Sequence, residues 1–202
     1  MTARFALLVL MVPLALGGCS RLELKPSDED GAAEKWAQRS TQIGLIRDWS
    51  LAGRAVVKNG RRSWHFGLYW KTSADGYSIE LKTPLGQGVA RLRSGAAGAE
   101  LQIPDEPTLR SDDARALLAR RFGWQIPATL MTRWVLGLPA HQRADIPVLD
   151  ERGAALAINE AGWDIRYRRY AEWDGYRLPA MIVMNQGSTE VRVVIDEWVI
   201  DG

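Results

Sequence analysis

Alternating apolar and polar residues at positions 61–71 constrain the fold more than any other feature of this sequence. One face of an extended chain would carry Trp64, Phe66, Leu68 and Trp70, and the other His65, Gly67, Tyr69 and Lys71. A period of two predicts a β-strand with one buried face. A register slip of one residue would exchange the two faces, so the sequence leaves open which face points inward.

Neighbouring segments repeat this pattern. Residues 49–58 and 76–83 alternate in the same way, and Asn59-Gly60 between two such runs is a hairpin signal. Shorter strands are predicted at 89–93, 100–103 and 155–159. Three more are predicted from Trp163 to Arg168, around Met181–Val183, and at 190–200. Long strands joined by hairpins predict one large, curved antiparallel sheet.

Three segments have helical spacing instead. They are residues 34–46, a segment from Ser111 as N-cap to a stop at Gly123, and a segment from Pro127 to Gly137. The fold class predicted is therefore α+β, with helices covering the open face of the sheet. Such a sheet can close in part into an incomplete barrel, with a cavity beneath the helices.

The N-terminus has the three parts of a secretory signal peptide at residues 1–18. Arg4 supplies the positive charge, residues 5–16 are an apolar run, and Gly17-Gly18 precede Cys19. A membrane-spanning helix needs about 20 apolar residues, so this run is too short for a permanent anchor. Leu16-Gly17-Gly18-Cys19 resembles the lipobox of bacterial lipoproteins, in which the cysteine is diacylated, the signal is cleaved and the new N-terminus is acylated.

Cys19 is the only cysteine of the chain, so it has no disulfide partner. A buried or redox-active thiol is the alternative to lipidation, and two or more acyl chains hold a protein firmly at a bilayer. Ser20 stands where such lipoproteins carry an inner-membrane retention aspartate, which favours the outer membrane, facing the periplasm. Residues 19–33 are interpreted as the lipidated N-terminus and a flexible tether, and residues 34–202 as a single domain.

Composition argues against several classes of function. After removal of the signal, 25 basic and 24 acidic residues remain, a balance that is unfavourable for nucleic-acid binding. Two histidines and one cysteine offer little material for a metal site, and no cofactor is expected beyond the acyl groups on Cys19. Nine tryptophans suit a deep apolar core or a surface that contacts lipid.

Enzyme signatures are missing from the sequence. It contains no GxSxG, HExxH, GxGxxG or P-loop pattern. Glu160 and Glu172 could form a glycosidase pair only if the fold brought them together. Asp112-Asp113 fit the start of a helix better than a catalytic pair. His65 is interpreted as a solvated or hydrogen-bonded side chain.

Arg54 and the turn at residues 84–86 can each be interpreted in two ways. Arg54 is a solvated arginine or, alternatively, a side chain that holds a helical lid over the cavity by hydrogen bonds to its backbone. Pro84-Leu85-Gly86 has the composition of a turn, which places Leu85 at a loop tip. That leucine either folds back onto the edge of the sheet or protrudes.

Taken together and in order, a set of short segments resembles the LolB family of outer-membrane lipoprotein receptors over essentially the whole chain. The matching segments are 49–54 (WSLAGR), Trp70, 84–86 (PLG), 123–127 (GWQIP), 133–139 (RWVLGLP), 162–163 (GW) with Tyr167 and Tyr170, 178–179 (LP), and 194–198 (VIDEW).

The resemblance implies an incomplete antiparallel β-barrel with a helical lid that encloses an apolar cavity for acyl chains. It implies a non-enzymatic, monomeric chaperone that receives triacylated lipoproteins from the periplasmic carrier LolA and inserts them into the outer membrane. It also implies that Pro84, Leu85 and Gly86 form a protruding membrane-insertion loop. The predicted cavity lining is Trp64, Phe66, Leu68, Trp70, Ile79, Leu81, Met131 and Trp134.

Two other functions are weighed against this one. An envelope enzyme such as a cell-wall hydrolase would need two carboxylates in an open polar cleft. A purely structural envelope lipoprotein would have a filled core. The presence of an internal apolar cavity discriminates among the three.

Overall fold

A computed structural model describes residues 29–141 and 147–201 of the chain. Signal residues 1–18 and the lipidation site Cys19 lie outside the described residues. The elements alternate as the sequence predicts, with one helix, a series of strands, two helices and a second series of strands. The helices are α1 (Glu29–Gly44), α2 (Ala114–Phe122) and α3 (Ala128–Trp134).

In the part of the chain that the structure describes, eleven antiparallel strands form one sheet. They are β1 (Asp48–Asn59), β2 (Arg62–Ser73), β3 (Gly76–Lys82), β4 (Gly88–Gly95), β5 (Gly98–Gln102), β6 (Leu109–Ser111), β7 (Val148–Leu149), β8 (Ala155–Glu160), β9 (Trp163–Trp173), β10 (Tyr176–Gln186) and β11 (Thr189–Asp201). Their order is β6-β5-β4-β3-β2-β1-β11-β10-β9-β8-β7, with the first and last long strands paired at the centre. Within the described ranges β6 and β7 do not pair, so the sheet is open.

Burial alternates from residue to residue along the strands, as expected for a sheet with one buried face. In β1 the predicted face is buried at Trp49, Leu51, Ala55 and Val57, while Arg54 is exposed. Gly53 allows a close approach of β11, because a Cβ atom there would lie 2.1 Å from the carbonyl oxygen of Val194. The register shifts at this point, which is the mark of a β-bulge.

The helix boundaries differ from the prediction in three places. Helix α1 begins at Glu29, five residues before the predicted start, so the segment described as a tether to residue 33 ends earlier. The N-cap of α2 is Asp113, whose side chain accepts from the Arg115 amide at 2.9 Å, while Ser111 belongs to β6. Helix α2 stops at Gly123 in the left-handed conformation, as predicted. Helix α3 ends at Trp134, before Gly137.

The concave face of the sheet is filled differently in its two halves. Over β8–β10, the end of α3 and the segment that follows it pack directly on the sheet, and the Tyr167 hydroxyl donates to the Trp134 carbonyl at 2.8 Å. The guanidinium of Arg39 in α1 lies over the Tyr170 ring and donates to the Arg177 carbonyl at 2.6 Å. Over β1–β5, helices α2 and α3 cover the sheet but leave a space beneath them.

Candidate functional site

The space beneath α2 and α3 is an apolar cavity. Every side chain that lines it is apolar, and its volume is about 70 Å³. It is lined by Ala55, Val57, Leu68, Trp70, Ile79, Leu81, Ala90, Leu92, Leu101, Leu118, Phe122, Trp124, Ile126, Ala128, Met131, Val191 and Val193. Room for a few methylene groups is therefore present, surrounded by a wall that offers no charge.

The cavity opens at one end of the sheet. Of its lining residues only Ile79, Leu81 and Phe122 are half-buried, and the others are buried. Leu81 is the penultimate residue of β3, just before the β3–β4 loop, and Phe122 is the last residue of α2, and both line the cavity. At the opposite end Trp70 packs on Trp49 and Tyr77, with ring centroids 5.7 Å and 6.3 Å apart. The tryptophans therefore close that end.

Five of the predicted lining residues are brought together in the cavity wall. They are Leu68, Trp70, Ile79, Leu81 and Met131. The strand residues share the concave face because they alternate with polar residues. In the β2–β3 register, Leu68 lies opposite Leu81 and Trp70 opposite Ile79. Met131 reaches the cavity from α3.

Trp64 and Phe66 do not line the cavity, which corrects the prediction for these two residues. They point to the same face as Leu68, but each packs edge-on against Trp124, at centroid distances of 5.4 Å and 6.0 Å. Trp124 itself lines the cavity and stacks on Phe122 at 4.6 Å. The two residues therefore form an aromatic cluster beside the opening.

Trp134 is also absent from the cavity wall, because a polar partner directs it elsewhere. Its indole N–H donates to the carboxylate of Glu160 at 2.6 Å, and its ring packs on Trp163 with centroids 6.2 Å apart. Glu160 also accepts from the backbone amides of Ala140 and His141, each at 2.8 Å. The Nδ1 atom of His141 lies 2.5 Å from the same carboxylate.

These hydrogen bonds fix the charge state of Glu160. Burial raises the pKa of its carboxyl group, but the bonds from Ala140, Trp134 and His141 outweigh burial and leave that pKa below its ordinary value. The carboxylate is therefore ionised at neutral pH and holds together the segment that follows α3.

Glu160 and Glu172 do not form a catalytic pair. Glu160 pairs with Trp163 across the β8–β9 turn, whereas Glu172 lies nine residues farther along β9. At about 3.3 Å per residue the two are roughly 30 Å apart. A glycosidase pair requires a separation of about 5–10 Å. Within residues 29–141 and 147–201, no group of three or more His, Cys, Asp or Glu side chains could hold a metal ion.

Arg54 does not hold a lid, so that alternative is wrong. Its guanidinium donates to both carboxylate oxygens of Asp196, at 2.8 Å and 3.1 Å, and the side chain is exposed. Residues 54 and 55 point to opposite faces of β1, and Ala55 occupies the cavity side. Arg54 therefore lies on the outer face. The hydrogen bond and charge of Asp196 raise the pKa of Arg54.

The Thr83–Gln87 loop carries Leu85 beside the cavity opening. The amide of Gly86 donates to the Thr83 carbonyl at 2.8 Å, and the amide of Thr83 donates to the Gln87 carbonyl at 2.7 Å. This closes a tight turn with Pro84 and Leu85 at its tip. Leu85 is 89% exposed, the largest exposure among the large hydrophobic residues of the described chain. The alternative in which it folds back onto the sheet is therefore wrong.

Most residues of the cavity wall were not among those predicted from the sequence. Trp124 and Ile126 alternate around the exposed Gln125 in an extended connection between α2 and α3, and this short alternation was a usable signal. Val191 and Val193 alternate on β11 with Arg192 and Val194, but their place in the wall depends on the pairing of β11 with β1. That long-range pairing leaves no local trace in the sequence.

Among the described helices, none is both long and apolar enough to cross a bilayer.

The sequence matches one protein family and its members over most of its length. The family described as outer membrane lipoprotein LolB matches residues 47–198. The outer-membrane lipoprotein LolB of Nitrosococcus oceani is 32% identical over 195 residues, which cover 95% of each chain. That of Pseudomonas paraeruginosa is 30% identical over 184 residues, covering 91% of this chain and 90% of the relative.

A solved structure shares the fold without close sequence similarity. The LolA superfamily protein of Nitrosomonas europaea superposes with a TM-score of 0.51 at 7% identity, covering 85% of this chain and 94% of that chain. The family match and the two relatives each extend over most of the sequence. The chain therefore belongs to the LolB family of outer-membrane lipoproteins.

Proposed function

We propose that this protein is the acceptor of lipoprotein sorting at the outer membrane. It receives triacylated lipoproteins from the soluble periplasmic carrier LolA and passes them to the inner leaflet of the outer membrane. The observation that supports this most is the juxtaposition of a wholly apolar cavity and the exposed Leu85 at one end of the molecule. A binding site and a membrane-contacting loop at the same end suit a protein that transfers lipid chains.

The apolar wall accounts for acceptance of acyl chains. Each buried methylene group contributes about 0.8 kcal/mol, so the chains themselves supply the binding energy and the wall needs no specific polar group. Transfer in one direction requires that the receptor hold the chains better than the carrier does, and less well than the bilayer.

Helices α2 and α3 act in this proposal as a lid that moves. Three acyl chains need far more room than the present cavity provides, because that cavity has space for only a few methylene groups. Trp134, at the end of α3, is bonded to the buried Glu160. Two weaker polar contacts tie the rest of the lid to β1 and β3. The Asn59 amide donates to the Gly123 carbonyl at 3.2 Å, and the hydroxyls of Tyr77 and Thr129 lie 3.1 Å apart. Both are weak enough to open when chains enter.

Leu85 supplies the contact with the bilayer at the moment of release. An exposed leucine of roughly 100 Å² of apolar surface gains about 2 kcal/mol on insertion into the membrane boundary. This is too little to anchor a protein, a role that falls to the acyl chains on Cys19. It is enough to favour the orientation in which the cavity opening faces the membrane.

A two-step transfer assay tests the proposal. Purified receptor is mixed with LolA that carries a labelled lipoprotein, and the label is followed to the receptor and then to added liposomes. Movement of the label in both steps is expected. A receptor that binds neither the lipoprotein nor an apolar fluorescent probe would instead be a structural lipoprotein.

A further inference from the structure

One edge of β2 is left without a strand partner beside the cavity opening. Strand β2 pairs with β1 along its whole length, from Arg62 opposite Asn59 to Thr72 opposite Trp49. On its other side it pairs with β3 only from Gly67, opposite Lys82, to Ser73. Residues 62–66 therefore extend beyond the end of β3 and expose an edge on that side.

The pairing pattern identifies the backbone groups that this edge presents. In an antiparallel ladder, successive residues direct their N–H and C=O groups alternately to the two neighbours. The two-residue turn at residues 60 and 61 makes Arg62 a hydrogen-bonded partner of Asn59, so Trp64 and Phe66 also bond to β1. Ser63 and His65 then direct their groups away from β1. No backbone partner accepts from or donates to either of them in the described chain.

The edge lies at the opening of the cavity and is accessible. Ser63 and His65 are exposed, and the residue after each of them, Trp64 and Phe66, packs on the cavity residue Trp124. The half-buried Leu81, which lies at the opening, is next to the last β3 residue that pairs with β2. A ligand whose apolar part lies in the cavity and leaves it past Leu81 therefore passes close to this edge.

From this geometry we infer that residues 62–66 bind the peptide of the cargo lipoprotein that directly follows its acylated cysteine. The peptide adds to β2 as a short strand while the acyl chains occupy the cavity. Ser63 and His65 together offer two N–H donors and two C=O acceptors, which suit an extended backbone of any sequence. The inference rests on the proposed function and adds the part of the cargo that is recognised outside the cavity.

This location favours a recognition of cargo that does not depend on the amino-acid sequence of the cargo. Main-chain hydrogen bonds provide affinity without selecting side chains, so cargoes of different sequence can share the site. The two outer strands of the sheet, β6 and β7, are only three and two residues long, which limits unwanted pairing there. The five-residue edge of β2 lacks that protection.

The test compares two probes on the full-length mature receptor in nanodiscs. One probe is a synthetic triacylated cysteine followed by a polar peptide of about six residues, and the other is a fluorescent fatty acid without peptide. Ser63→Pro removes the N–H that points away from β1 and places the proline ring at the edge. The ladder with β1 should be unaffected, because Ser63 makes no backbone hydrogen bond to β1. Ser63→Ala, which keeps the N–H, is the matched control.

We expect Ser63→Pro to weaken lipopeptide binding about fivefold to tenfold, the effect of losing one or two hydrogen bonds. Fatty-acid binding should be unchanged in the same variant, and Ser63→Ala should bind both probes as the wild type does. Hydrogen exchange at the amides of Ser63 and His65 should be fast in the free protein, slowed by the lipopeptide and unaffected by the fatty acid.

A lipopeptide methylated on alternate backbone nitrogens provides a test on the unaltered protein, where a folding defect cannot intervene. It should bind the wild type about fivefold to tenfold less tightly. Equal affinity for both lipopeptides, or amides at residues 63 and 65 that stay unprotected when the lipopeptide binds, would overturn the inference while fatty-acid binding persists. Loss of binding by every probe would instead overturn the proposed function.

Discussion

Replacing Leu85 by glutamate should separate acceptance of cargo from its delivery. Leu85 is 89% exposed at the tip of the Thr83–Gln87 loop and is not part of the cavity wall. Its substitution should change the free energy of unfolding by no more than about 0.5 kcal/mol, as is usual at the surface. Insertion of roughly 100 Å² of apolar surface is worth about 2 kcal/mol, and a carboxylate adds a further penalty.

A loss of about 2 kcal/mol lowers the population of the membrane-inserted loop about thirtyfold. Delivery to liposomes should therefore slow by at least that factor, while transfer of cargo from LolA to the receptor continues at the wild-type rate. Both steps can be followed on the same labelled lipoprotein, together with the thermal midpoint of the variant.

Leu45→Glu is the matched control. Leu45 is 74% exposed and follows the end of α1, beside the start of β1 and far from the β3–β4 loop. The same chemical change there should leave delivery intact. If Leu85→Glu delivers cargo normally, or if both variants lose delivery equally, insertion of Leu85 is not the step that opens the cavity to the bilayer.

Three further predictions rest on the structure and one on the sequence. Ala90→Leu should fill the cavity, weakening binding of an apolar fluorescent probe at least about tenfold while changing stability by less than about 2 kcal/mol, as measured by titration and denaturation. Glu160→Gln should destabilise the domain by about 2–4 kcal/mol at pH 7. Because the folded pKa of Glu160 is depressed, that contribution is present above the unfolded value near 4.3 and is lost as pH falls through the folded pKa, so denaturation curves of variant and wild type should converge in acid. Gly53→Ala should cost about 3 kcal/mol or more because its Cβ would overlap the Val194 carbonyl, whereas Gly31→Ala, with no atom within 4 Å, should be neutral or stabilising. Cys19→Ala should abolish acylation and release the protein from outer membranes on fractionation, and a variant that stays tightly bound would contradict lipid anchoring.

The predicted strands agree with the structure where alternation is long. Segments 49–58, 61–71 and 76–83 differ from β1, β2 and β3 by no more than two residues at either end. A half-buried strand must alternate, so its local sequence records which face is buried. Strands β6 and β7 were not predicted, because two or three residues are too few to show a period.

The errors in the candidate site have a common physical origin. Trp64, Phe66 and Trp134 are apolar and lie on interior faces. Trp64 and Phe66 pack on Trp124 beside the opening, and Trp134 bonds to Glu160, so none of the three lines the cavity. Both of those partners are distant in sequence, and alternation reports burial but not what a buried side chain touches. Arg54 was misjudged in one alternative for the same reason, since its partner Asp196 lies on β11.

The pairing of β1 with β11 has a consequence for the order in which the fold can form. The two central strands are joined from Asp48 opposite Asp201 to Asn59 opposite Thr189, so nearly the entire domain lies between them in sequence. In a chain that emerges from its N-terminus, β1 is the first strand to appear, and it cannot complete its central ladder until the last residues have emerged. The central ladder of the sheet is therefore the last part of the fold that can form in such a chain. The same connectivity makes the cavity depend on the end of the sequence, because a chain truncated before β11 would lack the middle of its sheet and the wall residues Val191 and Val193.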